Sequence, residues 1–520
     1  MAWSSAFIAA LGRTNGARLT MRKIPTLGIL PGSSANIARS DIGSGVVAIS
    51  TGTPIALSSQ SLSVPSFAVA SSNWRAALAG IDAGRWAVAS LPRGAACEVN
   101  AGLSSAPFAE RIILGQSRDV SGIGPQSIVS GWGALSLCIS RPQARVAPSV
   151  NDAALFANCD DDGNALALSS AFNFGTDTTL QFASAPPFER DTSSGAGAVL
   201  ITPTSGSPYI VTYTGISGNN LTGVSTSAVH GTSGSSANAG DLVQEVCWIQ
   251  RHPVDMARRI LVSTGAGTNG IYDTLPESWG LGIPEHLIDI AGFTDVSTQL
   301  NTALASGTHI VRTVATSPQG PALAWLQSEL NRYGLWLCQR QGQISIRGAF
   351  DYWRHRPAYA LALDRSNLLS ALPERSNYDP AQTTESRFYT VRGETLSDWG
   401  AIDEAPKTRP LLTTIADGPI IDGWPNVYQN QAQINLAIAQ RVGPWHTRIS
   451  TVIDAQATLE AAQLCVGDWV SIRHPGLWDH GTSPTVANPI RPAMVTSISC
   501  DWSSGTVTLR LHVQHPSTVA

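Results

Sequence analysis

The chain has 520 residues, a formal net charge of -4 at pH 7 and 13% charged residues, about half the roughly 25% of an ordinary soluble domain. This length exceeds what one core can organise, so about three or four domains are expected. No basic run offers a footprint for holding nucleic acid, and Pro54, Pro65, Pro203 and Pro208 interrupt every apolar run short of the ~20 residues of a membrane span.

The first segment, Met1 to Arg18, carries a short apolar run with no basic residue ahead of it, which predicts an amphipathic helix or strand rather than a signal peptide. Residues 18 to 139 hold short strand-like runs separated by Gly, Pro and Ser: Val46 to Ile49, Leu62 to Val69, Trp86 to Val88 and Arg111 to Gly115. Such spacing suggests an antiparallel barrel or sandwich. Lys, Arg, Asp and Glu are missing from Ile42 to Trp74 and again from Thr192 to Gly240. Low charge without a membrane segment fits a surface covered by partner subunits, or a β-rich protein with polar uncharged loops.

Residues 140 to 240 read as an inserted β domain that ends in a hairpin from Tyr213 to Val224, turning at Ser217-Gly218-Asn219-Asn220. Gly215 and Gly223 are expected to permit tight approach or a bulge. The cluster Asp160-Asp161-Asp162-Gly163-Asn164 lacks the spacing and distal Glu of a calcium loop and reads as a solvated turn. After Pro253 the residues Val254 to Leu261 predict a short helix, and Gly265-x-Gly267-x-x-Gly270 follows it. A dinucleotide loop follows a strand and opens a helix, whereas these glycines end one and run on towards Pro276. They predict a surface loop.

Downstream, Pro284 to Ala291 suggests a short helix. A second begins after Gly320-Pro321, with Leu323, Leu326, Leu330 and Tyr333 on one face and Gly334 as the stop. Strands Leu335 to Cys338 and Ile344 to Ile346 flank Gln341-Gly342, so a helix docked on a hairpin is expected. A polar connection over about 364 to 385 leads to a last β-rich unit that starts at Phe388 to Val391 and is interrupted by a helix from Gln429 to Arg441. Its remaining strands are Thr447 to Ile453, Trp469 to Arg473, Met494 to Ser499 and Thr506 to Val513, the last two joined by a turn ending at Gly505.

The chemistry-bearing residues form no recognised constellation. H-E-x-x-H, paired-His spacing and G-x-S-x-G are all missing. His474, His480, His512 and His515 are close only in sequence. Asp403-Glu404, or Asp351 with Glu329, are carboxylate pairs of the kind any long chain offers. The cysteines Cys97, Cys138, Cys159, Cys247, Cys338, Cys465 and Cys500 are scattered, odd in number and without C-x-x-C, and read as small core residues. Trp325, Trp336 and Trp469 sit in helix or strand contexts and read as core. No catalytic, cofactor-binding or metal-binding residue and no cofactor is assigned.

Three segments carry a resemblance. The run HPVDMARRILVSTGAGTNGIYDTLPESWGLGIP, His252 to Pro284, resembles a segment of tail hub proteins of tailed bacteriophages. Tyr213-Thr214-Gly215 with Leu221 to Val224 is similar to a hairpin of phage tail and baseplate chains. So is Cys465 to Leu477 followed by Pro492 to Val513. The resemblance implies a mainly β, α+β multidomain chain: a first tube-like β-barrel at 1–139, an inserted β-sandwich-like domain at 140–240, a mixed helix-on-sheet hub domain at 241–385 and a second tube-like barrel at 386–520. It further implies a non-enzymatic homotrimeric ring at the distal tip or baseplate of the phage tail, assembled in the bacterial host cytoplasm. The ring would join the tail tube or distal tail protein to fibre, spike or central tip proteins around a channel that genomic DNA passes during ejection, without specific DNA binding or stable membrane insertion. The alternative is a tail protein that binds or degrades the host cell envelope, with the inserted domain as carbohydrate binder. A secreted β-rich enzyme is a third possibility.

Overall fold

The computed structural model describes residues 3–12, 20–25, 35–37, 45–50, 61–62, 66–70, 96–103, 106–121, 128–133, 165–188, 197–206, 208–228, 236–275, 280–303, 311–315, 322–331, 335–341, 343–348, 352–377, 383–389, 395–401, 420–423, 450–473, 490–501 and 504–514. They are mainly β. Among them stand the helices α1 (Ser5–Leu11), α2 (Pro253–Val262), α3 (Ile290–Ala303), α4 (Ala322–Asn331) and α5 (Tyr352–His355). No helix among the described residues is long and apolar enough to cross a membrane.

The largest sheet is 8-stranded and curls into a half-barrel. Its main order is Leu361–Leu363, Trp469–Arg473, Ile490–Asp501, Thr506–Gln514, Ser450–Thr458, Leu368–Asn377. The two edge strands are joined by Asp364 to Asn367 alone, a link of at most roughly 17 Å, so the sheet has to curl to bring its edges together. Asn367 fastens that link: its Nδ2 donates to the Ala362 carbonyl at 2.8 Å, and its own carbonyl accepts from the Thr458 amide at 2.9 Å. Along Thr506–Gln514, Val507, Leu509, Leu511 and Val513 are buried while Thr508 and Arg510 are exposed, the period-two pattern of a strand with one face on a core. That core also takes Ile453, Val470, Ile472, Met494 and Val495.

The two ends of the chain share this half-barrel. Ile490–Asp501 pairs with Trp469–Arg473 over its first half and, past a register shift between Val495 and Ser497, with Gly45–Ser50 over its second. A bulge re-aims the strand, and there the N-terminal region supplies its neighbour. Helix α1 makes a second link. Trp3, Phe7 and Leu11 are spaced to share one helix face and join the half-barrel core. Ser4 caps the helix by accepting from the Phe7 amide. The Trp3 amide donates to Gln341 Oε1 at 2.9 Å and the Ser4 amide to Glu110 Oε1 at 3.0 Å, so this one turn touches three distant regions of sequence.

The remaining strands of the N-terminal region form a 6-stranded sheet: Ala35–Ile37, Thr20–Pro25, Ala96–Leu103, Ala106–Ser121, Ile128–Gly133, Ser66–Ala70. The expected run from Leu62 to Val69 is divided into Ser61–Leu62 and Ser66–Ala70, which lie in different sheets. Trp86 to Val88, Asp160 to Asn164 and the Gln429 to Arg441 helix lie outside the described residues.

Between these regions a smaller β unit has its own core of Phe172, Leu180, Phe182, Val199, Tyr209, Tyr213 and Leu221. The hairpin Gly215–Ser217/Asn220–Thr222 turns at Gly218, where φ is +56°. A Cβ on Gly223 (φ +64°) would lie 2.0 Å from Thr214 Oγ1, so the glycine allows the close approach expected of it. The hairpin does not continue Tyr209–Tyr213, which pairs with Gly197–Thr202 in another sheet; the chain changes sheets at Thr214. The long strand Leu242–Arg251 leaves this unit, pairing first with Gly197–Thr202 and then with Val311–Ala315.

Two expectations need correction. Residues 284–291 do not form one helix: a 3-10 turn, Glu285–Leu287, is followed by extended Ile288, and then α3 runs on to Ala303. Ile288 is held extended by a parallel bridge to Ile344, and Asp289 starts α3 by accepting the Gly292 amide at 3.1 Å. The supposed connection at 364–385 contains the strand Leu368–Asn377, which lies at a sheet edge with register shifts flanking Pro373. An edge strand tolerates a proline that a central strand would not.

Candidate functional site: a buried polar joint

Helix α2 opens the region that the hub resemblance singled out. His252 caps it, Pro253 sits in its first turn, and Val254, Met256, Ala257, Ile260, Leu261 and Val262 are all buried. The glycine-rich stretch after it is a loop, with Gly265, Gly267 and Gly270 at φ +79°, +67° and +81°. Asp273 organises that loop by accepting from the Thr264 amide at 2.7 Å, Thr264 Oγ1 at 2.6 Å and the Asn269 amide at 2.7 Å. Burial pushes the Asp273 carboxyl up, but these donors outweigh it and hold the group below its ordinary range. Asn269 Nδ2 donates to the carbonyls of Val262 and Ile283. Arg258 pairs with Glu285 at 2.5 Å and lies 3.9 Å over the Tyr272 ring. Amides that would receive a pyrophosphate are therefore committed to Asp273, and the loop is a clasp that closes Gly280 to Ile283 back onto α2 through the Leu281 and Ile283 amides.

The clasp leads to a cluster of buried charge where the helices, the hairpin Leu335–Arg340/Gln343–Gly348 and the half-barrel meet. Arg347 Nε donates to Asp468 Oδ1 at 2.8 Å, and its Nη1 donates to Ser345 Oγ at 3.0 Å and to the Ile346 carbonyl at 2.7 Å. Ser345 Oγ donates to Asp289 Oδ2 at 2.7 Å, and Arg340 Nη1 lies 3.5 Å from the same oxygen. The other Asp468 oxygen accepts the Cys465 amide at 2.9 Å. Burial pushes the Asp468 carboxyl up; Arg347, Arg340 and that amide together hold it below the usual carboxylate range. Gly467 (φ +97°) lets the loop approach, since a Cβ there would lie 2.6 Å from Arg347 Cβ and 2.8 Å from Trp336 Cζ2. Beside it, Cys338 Sγ and Cys465 Sγ are 3.9 Å apart, both thiols free and fully buried.

This arrangement holds elements together and is poorly suited to catalysis. Ser345 donates to Asp289 and accepts from Arg347, so it relays between charges, and at 0% exposure it is closed to a substrate. Burial pushes the Cys465 thiol well above its ordinary range, leaving it protonated and a poor nucleophile. In the smaller β unit, Asp177 is engaged by Asn173 within its own turn and Asp241 by Thr204 and Asn238. Tyr209 nearby is pushed up to about 12 by burial and by Asp241, and stays protonated at neutral pH. Among the described residues no group of three or more His, Cys, Asp or Glu is placed to hold a metal ion.

The structure distributes the residues weighed in the sequence accordingly. His512 is buried in the strand Thr506–Gln514; His474, His480 and His515 lie outside the described residues, as do Asp351, Asp403 and Glu404. Glu329 lies on α4. Trp336 and Trp469 are core residues at 0% and 5% exposure. The joint residues Asp289, Arg340, Ser345, Arg347 and Asp468 were not singled out by the sequence. The available signals were the Asp289-x-x-Gly292 cap and Gly467-Asp468 within the third resembling segment.

No family model matches the chain, and no curated protein matches it. Among solved structures it is similar to the 43 kDa tail protein of prophage MuSo2 from Shewanella oneidensis, with 10% identity over 96% of this chain and 99% of that one and a TM-score of 0.33. It is similar also to the prophage tail protein gp18 from Listeria monocytogenes EGD-e, with 7% identity over 96% and 95% and a TM-score of 0.33. A chain of a native gene transfer agent virion shares 17% identity over 47% of this chain and 85% of that one, with a TM-score of 0.15. At TM-scores this low the likeness fixes neither fold nor function.

Proposed function

We propose that this chain is a structural protein of a phage tail, and more finely the hub of a tail tip or baseplate. Three copies would close into a ring, each giving two tube-like barrels, so that a pseudo-sixfold face meets the tail tube or distal tail protein. The opposite side would hold fibre, spike or central tip proteins, and the channel would pass DNA during ejection. The observation that carries this reading is the interlock of the chain's two ends: α1 and the strand Gly45–Ser50 are built into the half-barrel formed by residues 361 to 514. A body tied this way transmits force between its regions without relying on a linker. The sequence resemblance supports the same reading. Its first segment folds into α2 and the clasp, and its last builds the half-barrel core and one side of the charged joint. The net charge of -4 suits a channel wall that does not retain DNA.

The test is the solution mass over a concentration series by light scattering, followed by electron microscopy. The expected species is near 164 kDa, three times the 54.7 kDa chain, with threefold particles. A monomer at every concentration, with no threefold particles even when tube or distal tail protein is added, would sink the ring.

A further inference from the structure

We propose that Cys338 and Cys465 are the two halves of a latent disulfide, closed by exchange with a small-molecule disulfide such as oxidised glutathione, which fastens the hairpin covalently to the half-barrel. The two sulfurs are 3.9 Å apart on residues 127 positions apart in sequence. A disulfide needs about 2.05 Å, so the pair has to close by roughly 1.9 Å, shared between two side chains. Cys338 lies on the strand Leu335–Arg340, and Cys465 lies in the turn that also carries Gly467 and Asp468. The bond would therefore lie beside the Arg347–Asp468 pair and reinforce the same joint.

The chemistry balances without another reactant. One cysteine thiolate attacks a sulfur of oxidised glutathione and expels one glutathione. The second cysteine thiolate attacks the protein-side sulfur of the mixed disulfide and expels the other. The two thiol protons end on the two released glutathiones. Burial pushes the Cys465 thiol up and shields both sulfurs in the closed joint, so exchange proceeds through local opening and is slow. In a reducing compartment the pair stays as thiols; outside a cell it closes.

The experiment treats the folded full-length chain with oxidised glutathione, blocks remaining thiols with an alkylating reagent, and maps peptides without reduction. The expected product is a peptide pair linked through Cys338 and Cys465, removed by dithiothreitol, with a Tm raised by on the order of 5 °C that the reductant reverses. In Cys338→Ala both the linked peptide and the oxidant-dependent rise in Tm are lost, and the wild-type map decides the matter by itself if that variant does not fold. Recovery of both residues as alkylated thiols after prolonged treatment, including in sub-denaturing urea, overturns the proposal. So does a map in which either cysteine is linked mainly to Cys500 or another thiol. The result is independent of the proposed tail role, because it reads a sulfur–sulfur bond and not an assembly.

Discussion

Replacing Asp468 by Asn tests the joint directly. The carboxylate is 7% exposed and has two engagements, Arg347 Nε at 2.8 Å and the Cys465 amide at 2.9 Å. Asparagine keeps an acceptor for one of them and removes the charge facing Arg347. Breaking a buried pair from one side costs about 3–5 kcal/mol, because the surviving charge stays desolvated. Here Arg347 keeps Ser345 Oγ and the Ile346 carbonyl, and Asp289 lies 4.0 Å away, which puts the expected loss near the lower end, about 3 kcal/mol. The assay is urea unfolding, with hydrogen exchange resolved over 335–348 and 465–473, where protection should fall first. The double substitution Arg347→Met with Asp468→Leu should recover most of the loss, since a buried ion pair is often neutral against an apolar pair of similar volume. A single-variant loss under about 1 kcal/mol, or a double variant as damaged as the two singles combined, would refute the reasoning.

Further substitutions probe the interlock, the hairpin and the acid limit. Phe7→Ala removes a ring 1% exposed and in edge contact with Trp3 at 5.3 Å; a loss of about 3–4 kcal/mol is expected in urea unfolding, against a negligible change for the exposed Ala9→Ser. Gly223→Ala forces a methyl against Thr214 Oγ1 at positive φ, with an expected cost of about 1–3 kcal/mol that Thr214→Ala partly restores in the same assay. Asp241, Asp273 and Asp468 are all held below the ordinary carboxylate range when folded. Their stabilisation is therefore fully present above the unfolded value of about 3.9 and is lost as pH falls below it through the folded values. Thermal unfolding should lose stability steeply in that acid window, and less steeply in Asp273→Asn.

Patterns that depend on near neighbours were legible in the sequence. The spacing of Leu323, Leu326 and Leu330 marked the buried face of α4, and the alternation of Val507, Leu509 and Leu511 marked the core-facing side of a half-barrel strand. The glycines after α2 announced a loop because nothing before them read as a strand. What stayed hidden depends on distant partners. Helix α3 was missed because its residues are rich in Thr, Ser and Asn and include Gly292; a distant strand, through Ser345 and Ile344, fixes the geometry around Asp289. The strand Leu368–Asn377 was missed because Pro373 reads as a breaker, and only a place at the sheet edge makes that proline tolerable. The joint was hidden for the same reason: Arg347 and Asp468 are 121 positions apart, and each in its own segment looks like an ordinary surface charge.

The placement of that charge bears on what the molecule is built to do. A buried ion pair is often no more stabilising than an apolar contact of similar volume. Ionic contacts are geometrically selective where apolar ones are forgiving: Arg347 reaches its partners in one arrangement, set by Gly467 on one side and Ser345 on the other. A slip of the hairpin by one residue would turn Arg347 to the other face of the sheet and leave Asp468 buried without its cation. The joint thus penalises a slipped hairpin. That property matters little for a protein that binds one small ligand. In the ring proposed above, it would keep an error of register in one copy from reaching its neighbours.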